Sequence, residues 1–328
     1  MTDIQNIYSA LGRQGLPRNK LSHIFPEWWT PEIEATPSGA QQAKFYLARA
    51  LSLRIRPISE DPPRVEFDLP VAHRFKRSAK ITDAQIEVAV AIAKSASRIA
   101  ISALEQEFLP PPPSAAAIRK FILGKGNNFV GLQQLIDYCW DCGIPVLHLA
   151  TPLLGAKKMD GIAMSLNGRP SIVLASKRAC GFTLFHLAHE LGHIALGHVA
   201  ANGAIVDDEI KKSDPDVDRD PQEVDADRFA IELLTGNADA RIKLAQRYRA
   251  PILARIAIEY GRNNNIDPTH VVMNCAHNDP DIYGLCVKAA NIISGEKPDH
   301  ILYAEATISR LGDKLSPDNE NLLRNLID

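Results

Sequence analysis

Across ITDAQIEVAVAIAKSASRIAISALEQEF, Ala, Ile and Val recur at helical spacing, which predicts one long helix over 82–108, capped by Thr82 or Asp83. LPPPP at 109–113 stops it, because proline lacks the N–H that would continue the ladder and restrains the residue before it. Two short helical patterns follow at 114–123 and 131–142, then an alternating apolar run, GIPVLHL. DGIAMSL and PSIVLAS are joined by NGR, and Asn-Gly between two strand-like runs predicts a tight hairpin. A small, antiparallel-rich sheet is therefore expected immediately before the apolar, histidine-bearing helix LFHLAHELGHIALGH at 184–198. Beyond an acidic stretch, EVDADRFAIELLTG predicts a further helix ended by Gly236, and residues 237–328 read as several more helices.

The first 80 residues mix short helical patterns with proline-bearing loops. NIYSALGRQGLPRNKLSHIF reads as helix, turn, helix; it is either a DNA-binding element or, as with most short helix pairs, a packing element. The fold class expected is α+β, mostly helical, with the small sheet packed on the histidine-bearing helix. Three units are expected: a mainly helical 1–110, a central 114–236 and a helical 237–328.

Composition narrows the function. Lys and Arg number 37 against 39 Asp and Glu, so the chain has no general pull toward nucleic acid or anionic lipid. The basic run HRFKRSAK at 73–80 is expected to be a solvated loop. The opening MTDIQNIYSALGRQG has no basic segment followed by a long apolar run, and no window approaches the ~18 apolar residues of a membrane span. Five irregularly spaced cysteines suit reduced thiols, so a cytoplasmic location is expected.

The chemistry lies in His189, Glu190 and His193, an H-E-x-x-H pattern. Helical positions four apart differ by only ~40° in azimuth and ~6 Å in height, so the two imidazoles can grip one metal ion. Glu190 lies ~100° round from His189, where it can take a proton from water at the metal without being a ligand. Zn²⁺ suits two imidazoles plus a carboxylate with one position open. Glu223 is the expected third ligand, and Asp227, one turn later, can accept the spare N–H of a ligating histidine. Two ligands on one helix and a carboxylate on the next is the thermolysin-type arrangement.

His198 is five residues from His193, ~140° round the helix, and reads as a helix-end residue. His186 shares the face of His189 and His193 and stays open between contact with metal or substrate and a packed role. If Glu223 is not a ligand, Asp207, Asp208 or His186 come next. Gly192 leaves room for another element to approach the helix. The alternating Asp214, Asp216, Asp218 and Asp220 miss the calcium-loop pattern, with Arg219 where glycine belongs. CWDC at 139–142 reads as two half-buried thiols, and Phe182, Phe185 and Phe229 as core. Neither Tyr260 nor His270 is placed firmly enough to be named as an oxyanion group.

FHLAHELGHIALGH followed by EVDADRFAIELLTG resembles the ImmA/IrrE family of bacterial zinc metallopeptidases, which carry H-E-L-G-H and, further on, E-x-x-A-N/D-x-F-A-x-x-L-L. The resemblance covers roughly 130–236 and is vague or absent over 1–110 and 240–328. It implies a cytoplasmic zinc endopeptidase that cuts or inactivates a helix-turn-helix transcriptional repressor in a stress, mobile-element or toxin–antitoxin-like circuit, with nucleic acid as a possible activator and 114–236 as the metallopeptidase core. By position, His189, His193 and Glu223 become ligands and Glu190 the general base. The long spacer between His193 and Glu223, and Thr235 where relatives carry proline, depart from the pattern. Substrate is expected to bind extended along an edge strand of the sheet, with Glu190 open to water. The alternative is a DNA-associated regulatory protein that uses the same fold without proteolysis. Oligomeric state is not indicated.

Overall fold

The computed structural model describes residues 3–70, 72–75, 83–149, 159–175, 180–208, 220–295 and 299–327. The N-terminal third holds α1 (Asp3–Arg13), α2 (Arg18–Leu21), α3 (Pro31–Glu34), α4 (Pro37–Ala50), α5 (Ile55–Ile58), β1 (Ala72–Phe75) and α6 (Asp83–Ala103). The centre holds α7 (Ala115–Gly124), α8 (Leu132–Asp141), β2 (Val146–His148), β3 (Met159–Leu166), β4 (Arg169–Leu174), α9 (Cys180–Ala195), β5 (Gly203–Asp208) and α10 (Pro221–Thr235). It closes with α11 (Ala250–Asn264), α12 (Pro268–Asn278), α13 (Tyr283–Ser294), α14 (Asp299–Leu311) and α15 (Pro317–Ile327). The fold is α+β and mostly helical.

The strands form one sheet in the order β1-β5-β3-β4-β2. The hairpin β3–β4 turns at Asn167 and Gly168, both at positive φ (53° and 80°), as a two-residue turn between twisted strands requires. β3 pairs antiparallel with β4 and β5, but β1–β5 and β2–β4 are parallel, so the sheet is evenly mixed. The expected solvated loop at 73–80 instead supplies β1 through residue 75, while 76–80 lie outside the described residues.

Helices cover both faces of the hairpin. Ser171 on β4 donates to Ser97 of α6 across a buried 2.9 Å hydrogen bond. Met164 pairs with Ser171 and so shares its face, whereas Gly161, odd in the same strand, faces α9. α6 and α9 therefore sandwich β3 and β4. Helix α6 ends at Ala103 rather than running to 108. The chain peels away there because Arg169 captures the carbonyls of Leu104 and Gln106, and Leu109 N–H bonds to Cys142 O.

One hydrophobic cluster runs from Ile4 through Ile99, Ile118 and Leu191 to Ile327, crossing the proline run. A second, smaller one is built from α11, α12 and α13, including Leu253, Val272 and Cys286. In the N-terminal segment, Leu16, Leu21 and Ile24 are buried in the larger cluster, and the helix after the first turn, α2, is four residues long. Arg119 of α7 ties three elements together. Its buried guanidinium donates to Leu233 O and Leu234 O near the end of α10 and to Asn265 O at the end of α11.

Candidate active site

α9 crosses the hairpin with Leu184, Leu187, Ala188 and Leu191 buried. α10 starts on Asp220, whose carboxylate accepts from Gln222 N–H, with Pro221 at its first position. It lies close on α9 because Gly192 has no side chain: a Cβ there would stand 3.0 Å from the Phe229 ring. Gly236, at φ 87°, ends α10. This close crossing carries Glu223 to His189 and His193.

The two Nε2 atoms stand 3.0 Å apart, and the Glu223 carboxylate spans them, with Oε2 3.5 Å from His189 Nε2 and Oε1 3.6 Å from His193 Nε2. Ligand atoms at ~2.0–2.1 Å in tetrahedral array stand ~3.3–3.4 Å apart, so each of these pairs has about the spacing of two ligands on one ion, and with one atom from each residue the group lies within 4.8 Å. Among the described residues these three form the one group able to hold a metal ion. All three are buried.

The far sides of both imidazoles are also held. His189 Nδ1 is 3.0 Å from Asp227 Oδ1. His193 Nδ1 is 3.0 Å from His198 Nδ1, a contact the helical azimuth does not foresee. His198 gets there because α9 ends in a Schellman turn: Gly197 sits at φ 72°, His198 N–H bonds to His193 O, and Gly197 N–H to Ile194 O. The turn folds the ring back over the preceding helical turn. Burial pushes the His198 pKa down, opposed by the carboxylates of Asp225, Asp220 and Glu223. Gly-His directly after the helix was the signal in the sequence.

Glu190 points to the sheet. Its carboxylate packs on Gly161 of β3, where any Cβ would collide with Oε1, so the strand glycine in DGIAM marks a close approach. Glu190 is fully buried, where a base open to water was expected. Asp160, beside Gly161, is the extra residue of an irregularity in the β3–β5 register. It is also fully buried and lies 3.8 Å from His186 Nε2. His186 thus faces Asp160 and stands outside the three-residue group. β3 is not an edge: β4 and β5 pair on either side of it. Among the described residues the edges are β1 and β2, and β2 is overlain by α14, with Tyr303 stacked on His148 at 5.8 Å. A peptide cannot pair with the strand beneath Glu190.

Phe229 is core, while Phe182 and Phe185 line a cavity beside α9 with His270, whose ring lies parallel to Phe185 at 6.3 Å. Tyr260 is 41% exposed on α11. Cys139 is fully buried and Cys142 half-buried. The side chains of Asp207 and Asp208, and residues 214–218, lie outside the described residues.

The model of the family Peptidase U49 matches residues 165–268. That span begins at the end of β3 and includes α9, β5, α10 and α11. It therefore contains His189, Glu190, His193 and Glu223, and it supports a peptidase, a hydrolase acting on peptide bonds. No curated protein and no solved structure shows a significant match. No helix among the described residues is long and apolar enough to cross a membrane.

Proposed function

We propose that this chain is a cytoplasmic zinc endopeptidase of the ImmA/IrrE type, with His189, His193 and Glu223 as ligands and Glu190 as general base. The observation that carries the reading is the convergence of His189, His193 and Glu223, whose ligand atoms lie within 4.8 Å of one another, beside Glu190 on the same helix. It lies within the segment matched by a peptidase family.

Zinc, when bound, supplies Lewis acidity toward water and the scissile carbonyl. The remaining work belongs to the chain. Asp227 Oδ1 and His198 Nδ1 each stand 3.0 Å from the outer ring nitrogen of His189 and His193, a placement that would hold both rings with Nε2 toward the common point. Glu190 takes a proton from the attacking water at its carboxylate and returns it to the leaving nitrogen. The products are a carboxylate and an amine. The substrate in this reading is a helix-turn-helix repressor, as the ImmA/IrrE resemblance implies.

Glu190→Gln tests it. The substitution keeps size and leaves the three ligands untouched, so zinc content and partner binding persist. Cleavage falls by at least ~10²-fold, the low end of what positioned proton transfer contributes. The assay is mass spectrometry of a repressor encoded beside the gene, incubated with each protein with and without single-stranded DNA. Equal fragmentation by both sinks the mechanism; a partner held but left whole by both favours the DNA-associated regulator.

A further inference from the structure

The cavity between α9, α10 and α12 has a volume of about 110 Å³. Its walls include Phe182, Phe185, Ile231 and Met273, all apolar. His270 lines it at 2% exposure, and among the described residues neither ring nitrogen has a hydrogen-bond partner. His277, exposed, stands at the rim. An imidazole in that setting is costly: a buried polar group without a partner forfeits the hydrogen bonds it made to water. No local task for the ring is evident. The Asp267 cap of α12 bonds to the backbone N–H of His270, not to its ring.

We propose that this cavity is a binding pocket for an uncharged, polar-tipped group the size of a medium side chain, a carboxamide, which hydrogen-bonds to His270. Three features fix the class. The volume, under the ~150 Å³ of an apolar cavity that takes benzene, limits the occupant to about six heavy atoms, and an apolar ring of that size would leave the His270 nitrogens unpaired. Burial first, then the neighbouring His277 and Arg119, hold the His270 pKa down to about 4, so at neutral pH the ring offers one donor and one acceptor. A carboxamide offers the matching pair, whereas a carboxylate would stand next to the Asp227 carboxylate and an ammonium has no acceptor for the ring N–H.

The pocket abuts the metal group. Asp227 both lines it and reaches His189 Nδ1, and Phe185 packs 6.2 Å from the His189 ring. A carboxamide can come from two sources: a Gln or Asn side chain of a peptide lying over the site, or a free small amide. The first source rests on the peptidase reading; the pocket chemistry does not.

Two arms test it on the full chain. In the first, butyramide, butyrate and butylamine are titrated into ¹⁵N-histidine-labelled protein, reading the His270 ring resonances and the melting temperature. Butyramide alone should shift the ring and raise the melting temperature. His270→Gln, which keeps a donor and an acceptor, should retain the melting response, and His270→Leu should lose it. Met273→Phe, which fills the cavity from its wall, is the second blocking variant should His270→Leu not fold. No response, or an equal response to all three probes, overturns the proposal and leaves a cavity that holds water or any small solute.

In the second arm, a degenerate peptide mixture is cut by wild type and by His270→Leu. A preference for Gln or Asn beside the cut that drops ~10-fold or more in the variant assigns the pocket to the substrate. An unchanged preference alongside butyramide binding overturns that source and assigns a free amide. If wild type cuts nothing while butyramide binds at His270, the peptidase reading fails and the pocket stands.

Discussion

Glu34 and Glu223, two of the buried glutamates, have opposite surroundings. Glu34, near the N-terminus, is ringed by donors: the Tyr8 hydroxyl at 2.9 Å, the Arg18 guanidinium at 2.8 Å and the Trp29 indole N–H at 3.4 Å. Burial, and then this carboxylate, hold the Tyr8 phenol above its ordinary pKa. Glu223 faces two imidazole nitrogens whose outer ring atoms already meet Asp227 and His198. A carboxylate met by N–H and O–H groups is closed and holds elements together. A carboxylate grouped with two imidazole nitrogens could hold a metal ion. Burial and charge type alone do not tell the two apart; the groups that face them do.

The largest expected effect separates them directly. Elemental analysis should find one zinc per chain in wild type and in Glu34→Ala, and zinc lost or sharply weakened in His189→Ala, His193→Ala and Glu223→Ala. Full occupancy in Glu223→Ala would end its assignment and turn attention to Asp207, Asp208 or His186. Next, Gly161→Ala should leave zinc in place but displace Glu190, cutting cleavage ~10²-fold, the scale set by a misplacement of about 1 Å. Asp227→Ala should weaken metal binding ~10- to 100-fold in a chelator competition, since it orients a ligand without being one. If it titrates like wild type, Asp227 has no part in the site.

The smallest effect belongs to the closed glutamate. Glu34→Ala strands the Tyr8 hydroxyl and the Trp29 N–H, at a cost of about 1–3 kcal/mol. Denaturant melts should give the same loss with and without a chelator. A loss that vanishes on chelation would mean that Glu34 is coupled to the metal group and that the contrast is false.

What the sequence reveals depends on range. The hairpin, the end of α10 at Gly236 and the approach of α10 at Gly192 all follow from local chemistry, and so does the convergence of His189, His193 and Glu223, which needs only two helices. β1 and β5 were not legible. One lies in a basic run and the other leads into acidic residues, and their parallel register, Ala72 opposite Gly203, joins segments far apart in the chain that no local period relates. The Asp160 irregularity is hidden for the same reason: it exists only relative to β5. His198 ends the helix and stays outside the three-residue group, as expected; its contact with His193 Nδ1 is not legible, because ideal helical azimuths fail past Gly197, where the helix has already turned.

Arg119 bears on how portable this chemistry is. The segment 165–268 matched by the peptidase family contains His189, His193 and Glu223, yet the guanidinium that gathers the last carbonyls of α10 and the end of α11 comes from α7, outside it. A graft of the matched block into another scaffold would carry the inventory of the site without its anchor. The minimal transplantable unit has to begin before Ser114, the residue that caps α7, and extend past Asn265.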